Sequence, residues 1–194
     1  DLAIGAYQEA IELNPGFFEA FTAIGVAYTE SNRDKQAIEP LKNALKINPD
    51  DSVAYQNLGI AYKNLGQHEE AIDAFLELIR IRFKDPEAYF LLASEYFVED
   101  LYDDAIQRFK DAIRLDPDYI DAHFQLSQVY VATGELEKSL KEFELVVQIE
   151  PIHLEGHFRK GDIYQRLDNH KAAAVSFEKA LSLDRSEEHT SELQ

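Results

Sequence analysis

His153 and His157 stand four residues apart, which on a helix places two imidazoles on one turn where they could share a metal ion. No third ligand falls at a matching spacing. His157 also shares a sequence column with His123, 34 residues earlier, so both are read as packing residues and no metal is expected. Glu19, Glu87, Asp121 and Glu155 recur at the starts of helical segments, where the helix dipole favours a carboxylate without any acid–base role. The eight glycines are scattered and form neither a GxxxxGK[ST] nor a GxGxxG loop. There is no GxSxG elbow, and with no cysteine there is no thiol nucleophile. The residues therefore point to no catalytic centre and no cofactor, and the chain is expected not to be an enzyme.

The elements that would position any site follow from a period of 34. Tyr28, Tyr62, Tyr96, Tyr130 and Tyr164 are each 34 residues apart. Pro15, Pro49, Pro117 and Pro151 keep the same step. So do the small residues Gly25, Gly59, Ala93, Ser127 and Gly161, and a second small column of Ala3, Ala37, Ala71, Ala105, Ser139 and Ala173. Within a unit, Phe21, Ile24, Gly25 and Tyr28 mark one helical face, and Ala37, Ile38, Leu41, Ala44 and Leu45 mark a second. Asn32, Gly66, Asp100, Gly134 and Asp168 fall between them, residue types that tolerate the left-handed backbone of a tight helix end. Each unit thus reads as helix, turn, helix, turn. Small residues at the helix crossing let the two axes approach, and Phe75, Phe109, Phe143 and Phe177 fill the space beside it. One such unit cannot bury its apolar face alone, so neighbours must stack.

Composition agrees. The chain has 194 residues, 45% hydrophobic and 29% charged, which suits a folded array. No run of 18 apolar residues and no cationic leader is visible, so no membrane span is expected in this fragment. A net charge of −18 disfavours nucleic acid as a partner. Methionine is absent, which points to a piece of something longer, with the compartment undetermined: cytoplasmic is slightly favoured, and periplasmic fits a missing N-terminus.

The unit FEAFTAIGVAYTESNRDKQAIEPLKNALKINP resembles a tetratricopeptide repeat, as do YQNLGIAY (55–62), YFLLASEY (89–96) and HFQLSQVY (123–130). The resemblance implies an all-α, right-handed superhelical solenoid of antiparallel helix pairs. It divides the chain into a half repeat at 1–17 and repeats at 18–51, 52–85, 86–119, 120–153 and 154–184. Phe83 and Lys160 depart from the family pattern, and Pro40 inside a second helix is expected to kink it. Residues 185–194, RSEEHTSELQ, resemble a translated sequencing-library adapter and are read as a non-native tail outside the fold.

In this family the first helices line a concave groove that holds extended or helical peptides. The matching positions here include Gln56, Asn57, Phe90, Leu91, Phe124, Gln125, Gln128, Phe158, Arg159 and Arg166. Thr22, Ala23 and Val26 take the same places in the first full repeat. Phe90, Phe124 and Phe158 share one position of three consecutive repeats, an aromatic track suited to anchoring a ligand, or else packed on neighbouring helices. The carboxylate clamp of chaperone-binding relatives is not expected, because its positions hold residues such as Gln56, Leu91 and Asp121 instead of a cation cluster. The resemblance implies a non-catalytic scaffold for a protein or peptide segment. The alternative is the substrate-recruiting arm of a larger glycosyltransferase or kinase. Open array ends would also favour fraying and end-to-end self-association.

Overall fold

The structure is a computed structural model that describes residues 2–191, with side chains to Arg185. Eleven α-helices and no strand occur among the described residues. The chain divides into two compact units, residues 1–101 and 102–194. The first holds α1 (Leu2–Leu13), α2 (Phe18–Glu30), α3 (Asp34–Ile47), α4 (Ser52–Asn64), α5 (His68–Ile81) and α6 (Pro86–Val98). The second holds α7 (Tyr102–Leu115), α8 (Ile120–Ala132), α9 (Leu136–Ile149), α10 (Leu154–Arg166) and α11 (His170–Ser191). The helix α3 continues past Pro40 to Ile47, and α11 runs on beyond Arg185.

Within the first unit α2 packs on α3 and α4 on α5, and successive pairs stack through α3 on α4 and α5 on α6. The second unit repeats this with α8 on α9, α10 on α11 and α9 on α10. Antiparallel neighbours follow from the short turns, five of which share one device. Asn32, Gly66, Asp100, Gly134 and Asp168 have φ between 56° and 79°. Each of these left-handed residues is followed by one whose N–H donates back to a tyrosine carbonyl. The bonds are Arg33 to Tyr28, Gln67 to Tyr62, Leu101 to Tyr96, Glu135 to Tyr130 and Asn169 to Tyr164, at 2.8–2.9 Å. This is the six-to-one bond of a Schellman end, which satisfies a carbonyl that the helix leaves unpaired.

The crossings explain the glycine column. A Cβ on Gly25 would stand 2.4 Å from the Leu41 side chain, on Gly59 2.4 Å from the Phe75 ring, and on Gly161 2.7 Å from Phe177. Contact at that range is repulsive, so these three positions require a bare backbone. The opposing Leu41 and Phe75, like Phe109 and Phe143 in the second unit, are 0–1% exposed and form the centres of the cores. The tyrosine rings carry cations over their faces. Arg33 lies 4.5 Å from the Tyr28 centroid, Lys42 5.6 Å from Tyr62, Lys138 5.4 Å from Tyr130 and Lys160 6.0 Å from Tyr164.

Candidate functional site

In the first unit, the first-helix positions singled out above are Gln56 and Asn57 on α4 and Phe90 and Leu91 on α6, all half-buried. The Asn57 side chain is engaged on both ends. Its Oδ1 accepts from the Thr29 hydroxyl at 2.9 Å, and its Nδ2 donates to the Val53 carbonyl at 2.9 Å. The amide therefore ties α4 to α2. Gln56 Oε1 accepts from the Arg82 guanidinium at 3.1 Å, and Arg82 also donates to Ser52 Oγ at 2.9 Å.

In the second unit, Phe124, Gln125 and Gln128 lie half-buried on α8, while Phe158, Arg159 and Arg166 are exposed on α10. Phe124 stands edge-on to the core ring of Phe143 with centroids 5.5 Å apart, and 5.5 Å from the ring of His153. Phe158 packs against Phe177 at 5.5 Å yet remains 50% exposed. It opens, with Leu154 and Leu181, onto an apolar cleft of about 530 Å³. Arg159 donates to Glu155 one turn earlier at 3.1 Å, an exposed pair of little energetic weight. The two aromatics thus differ in kind: Phe124 is half core, and Phe158 presents an open face.

Models of the tetratricopeptide repeat match residues 1–52, 41–73, 99–155 and 154–187. The chain belongs to the tetratricopeptide repeat family. Among solved structures, MamA superposes with a TM-score of 0.82 at 27% identity, covering 86% of this chain and 97% of MamA. A MamA from Desulfovibrio magneticus RS-1 gives 0.81 at 23% identity, covering 87% of this chain and 96% of that one. YrrB, described as a tetratricopeptide protein with an unusual peptide-binding site, gives 0.78 at 21% identity, covering 92% of each chain. No curated protein sequence gives a match. Family and fold together support a protein-interaction scaffold.

The aromatic slot at the fourth position performs, in the third, fourth and fifth tetratricopeptide units, a task that periodicity alone does not reveal. Tyr89 donates its hydroxyl to the Phe83 carbonyl at 3.2 Å, while Nε2 of His123 lies 3.0 Å from the Pro117 carbonyl and Nε2 of His157 3.0 Å from that of Pro151. Each side chain clasps the loop that leads into its own helix. His153 is used differently: its Nδ1 accepts from the Gly156 N–H at 2.9 Å and caps α10. Both histidines of the i, i+4 pair are thus engaged with backbone. Among the described residues no group of three or more His, Cys, Asp or Glu is placed to hold a metal ion. None of the described helices is long and apolar enough to cross a membrane.

His123 is buried, and both of its ring nitrogens face acceptors: the Glu142 carboxylate at 2.7 Å from Nδ1, and the Pro117 carbonyl. A carbonyl only accepts, so the protonated ring satisfies both contacts. Burial opposes the charge, but the hydrogen bonds to Glu142 and Pro117 and the charges of Glu142 and Asp118 outweigh it and raise the His123 pKa above its ordinary value. A raised folded-state pKa means that this stabilisation is full below about pH 6.5 and fades as pH climbs through the folded value. Urea unfolding of the second unit should therefore show lower stability at about pH 9 than at about pH 6. In His123→Phe that slope should flatten, whatever the absolute stability of the variant. An unchanged slope would assign the pH dependence to other groups.

Proposed function

We propose that this tetratricopeptide chain is a non-catalytic scaffold that holds a peptide or protein segment on the faces formed by its first helices. The observation that carries the reading is Phe158. A first-helix aromatic, half exposed and opening onto an apolar cleft, is the kind of anchor point that binding surfaces concentrate. Arg159 and Arg166 are exposed on the same helix and add charge-assisted hydrogen bonding. The solved tetratricopeptide relative YrrB, with its peptide-binding site, lends the reading support.

The test is selection of displayed random peptides on the full chain, followed by affinity measurement on variants. Phe158→Ala is expected to weaken selected peptides by about tenfold or more while moving the melting temperature little, because half the ring is already in water. Phe158 is a cleaner probe than Phe124, whose contact with Phe143 mixes binding with core packing. Selection of no binder, or of binders indifferent to Phe158→Ala, Phe90→Ala and Arg159→Ala alike, would sink the reading.

A further inference from the structure

The first unit carries a cleft of about 590 Å³ to which the first-helix groove positions contribute Thr22, Ala23 and Val26. Its apolar walls come from Tyr7 on α1, from Phe18, Ala23 and Val26 on α2, and from Val53 on α4. Tyr7 and Val53 are 37% and 40% exposed, so the walls are open to a ligand. Glu19 and Glu30, both exposed, line the cleft along α2. Deeper in, the buried Asp51 accepts from the Thr22 hydroxyl and caps α4 through the Val53 and Ala54 N–H groups. Its valences serve the fold, and its charge adds to the field of the cleft. Among the described residues that line the cleft there is no lysine, arginine or histidine, and none occurs in the sequence before Arg33. Arg33 itself lies over the Tyr28 ring.

An apolar floor beneath carboxylates of one sign selects for a complementary partner. Glu19 and Glu30 are eleven residues apart on one helix, close to three full turns, so they point to the same side about 16 Å from each other. An extended chain rises about 3.3 Å per residue and alternates faces, so side chains six residues apart share one face about 20 Å from each other, and flexible lysine and glutamate stems close the difference. We propose that this cleft binds an extended basic–apolar–basic segment of a partner protein. Its central large apolar side chains, on alternate residues, enter against Tyr7 and Val26, and Lys or Arg residues about six apart on the same face of the strand pair with Glu19 and Glu30. The inference rests on the scaffold reading above and narrows it to one place and one partner chemistry.

The probe is a fluorescein-labelled peptide, Gly-Lys-Ala-Leu-Ala-Phe-Ala-Lys-Gly amide, whose lysines, leucine and phenylalanine share one face when extended, titrated with the full chain by fluorescence anisotropy. Binding is expected to weaken about tenfold in the double variant Glu19→Gln, Glu30→Gln, and to weaken on raising salt from about 20 mM to about 300 mM. Both glutamates are exposed, so the variant should fold; circular dichroism and the melting temperature verify that. The charge-reversed variant Glu19→Lys, Glu30→Lys should instead prefer the peptide with both lysines replaced by glutamate. Equal affinity for the two peptides, indifference to the glutamine substitutions, or no binding of the lysine peptide would overturn the proposal. Concentration-dependent dimerisation of the protein alone, abolished by Tyr7→Glu, would overturn it too, since a second copy would then occupy the cleft. Failure here with Phe158-dependent peptide binding intact would remove this site and leave the scaffold reading standing.

Discussion

Phe75→Ala should lower the stability of the first unit by about 3–5 kcal/mol, the cost of emptying a ring-sized space in a packed core. Phe75 is fully buried in the cluster that joins α3, α4, α5 and α6, where few neighbours can relax inward. Its partner at the crossing makes the prediction sharper. On helix propensity alone Gly59→Ala should stabilise α4 by about 1 kcal/mol. The new methyl group would meet the Phe75 ring at 2.4 Å, however, and overpacking should turn that gain into a net loss of about 1–3 kcal/mol. With Phe75 already truncated, the same methyl group enters open space and the propensity gain should return. The two substitutions are therefore expected to couple strongly in a double-mutant cycle measured by urea unfolding. Additive effects would show that the bare backbone at Gly59 has no role in the crossing.

His68→Ala should cost about 2–4 kcal/mol, a large effect for a residue with 27% of its side chain exposed. The reason is its partner. Glu95 on α6 is 1% exposed, its Oε2 lies 2.8 Å from Nδ1 of His68 on α5, and its Oε1 has no hydrogen-bond partner among the described residues. Removing the imidazole strands the whole carboxyl in the interior. The equivalent positions in the other repeats hold Ala27, Ala61, Val129 and Ile163, so the site is an apolar slot that here carries an acid. Glu95→Val should accordingly be neutral or stabilising, and should erase most of the penalty of His68→Ala when the two are combined. A destabilisation by Glu95→Val as large as that of His68→Ala would show that the pair is worth more than the apolar packing it displaces.

These two sites also mark where sequence reading reaches its limit. The crossing of Gly59 with Phe75 was legible, because a small column and a large column at one fixed step imply a close approach. The left-handed turns were legible from Asn32, Gly66 and Asp100 for the same reason: one backbone conformation admits few residue types. The polar contacts were not. Glu95 with His68, Thr22 with Asp51 and His123 with Glu142 pair residues on different elements at separations of 27, 29 and 19, and none of these pairings repeats along the chain. Register names the first-helix residues of a face but not what their side chains do. Asn57 and Gln56 bind neighbouring helices and loops, and Phe124 leans on the core. The cleft beside Glu19 and Glu30 had one signal, the lack of any cation before Arg33, which is visible only when charge is counted along the chain.

The tyrosine column carries a spectroscopic consequence. The chain contains no tryptophan, so its ultraviolet emission comes from ten tyrosines with no indole to drain their excitation. One of these emitters sits at the same place in every repeat, its carbonyl closing the turn. Tyr62 is 7% exposed in the first unit and Tyr130 3% exposed in the second, each beneath a lysine. Exchanging a single one for phenylalanine keeps the ring and silences one known address. The difference in emission then follows the melting of that unit alone, so the array reports its own order of unfolding without any added dye.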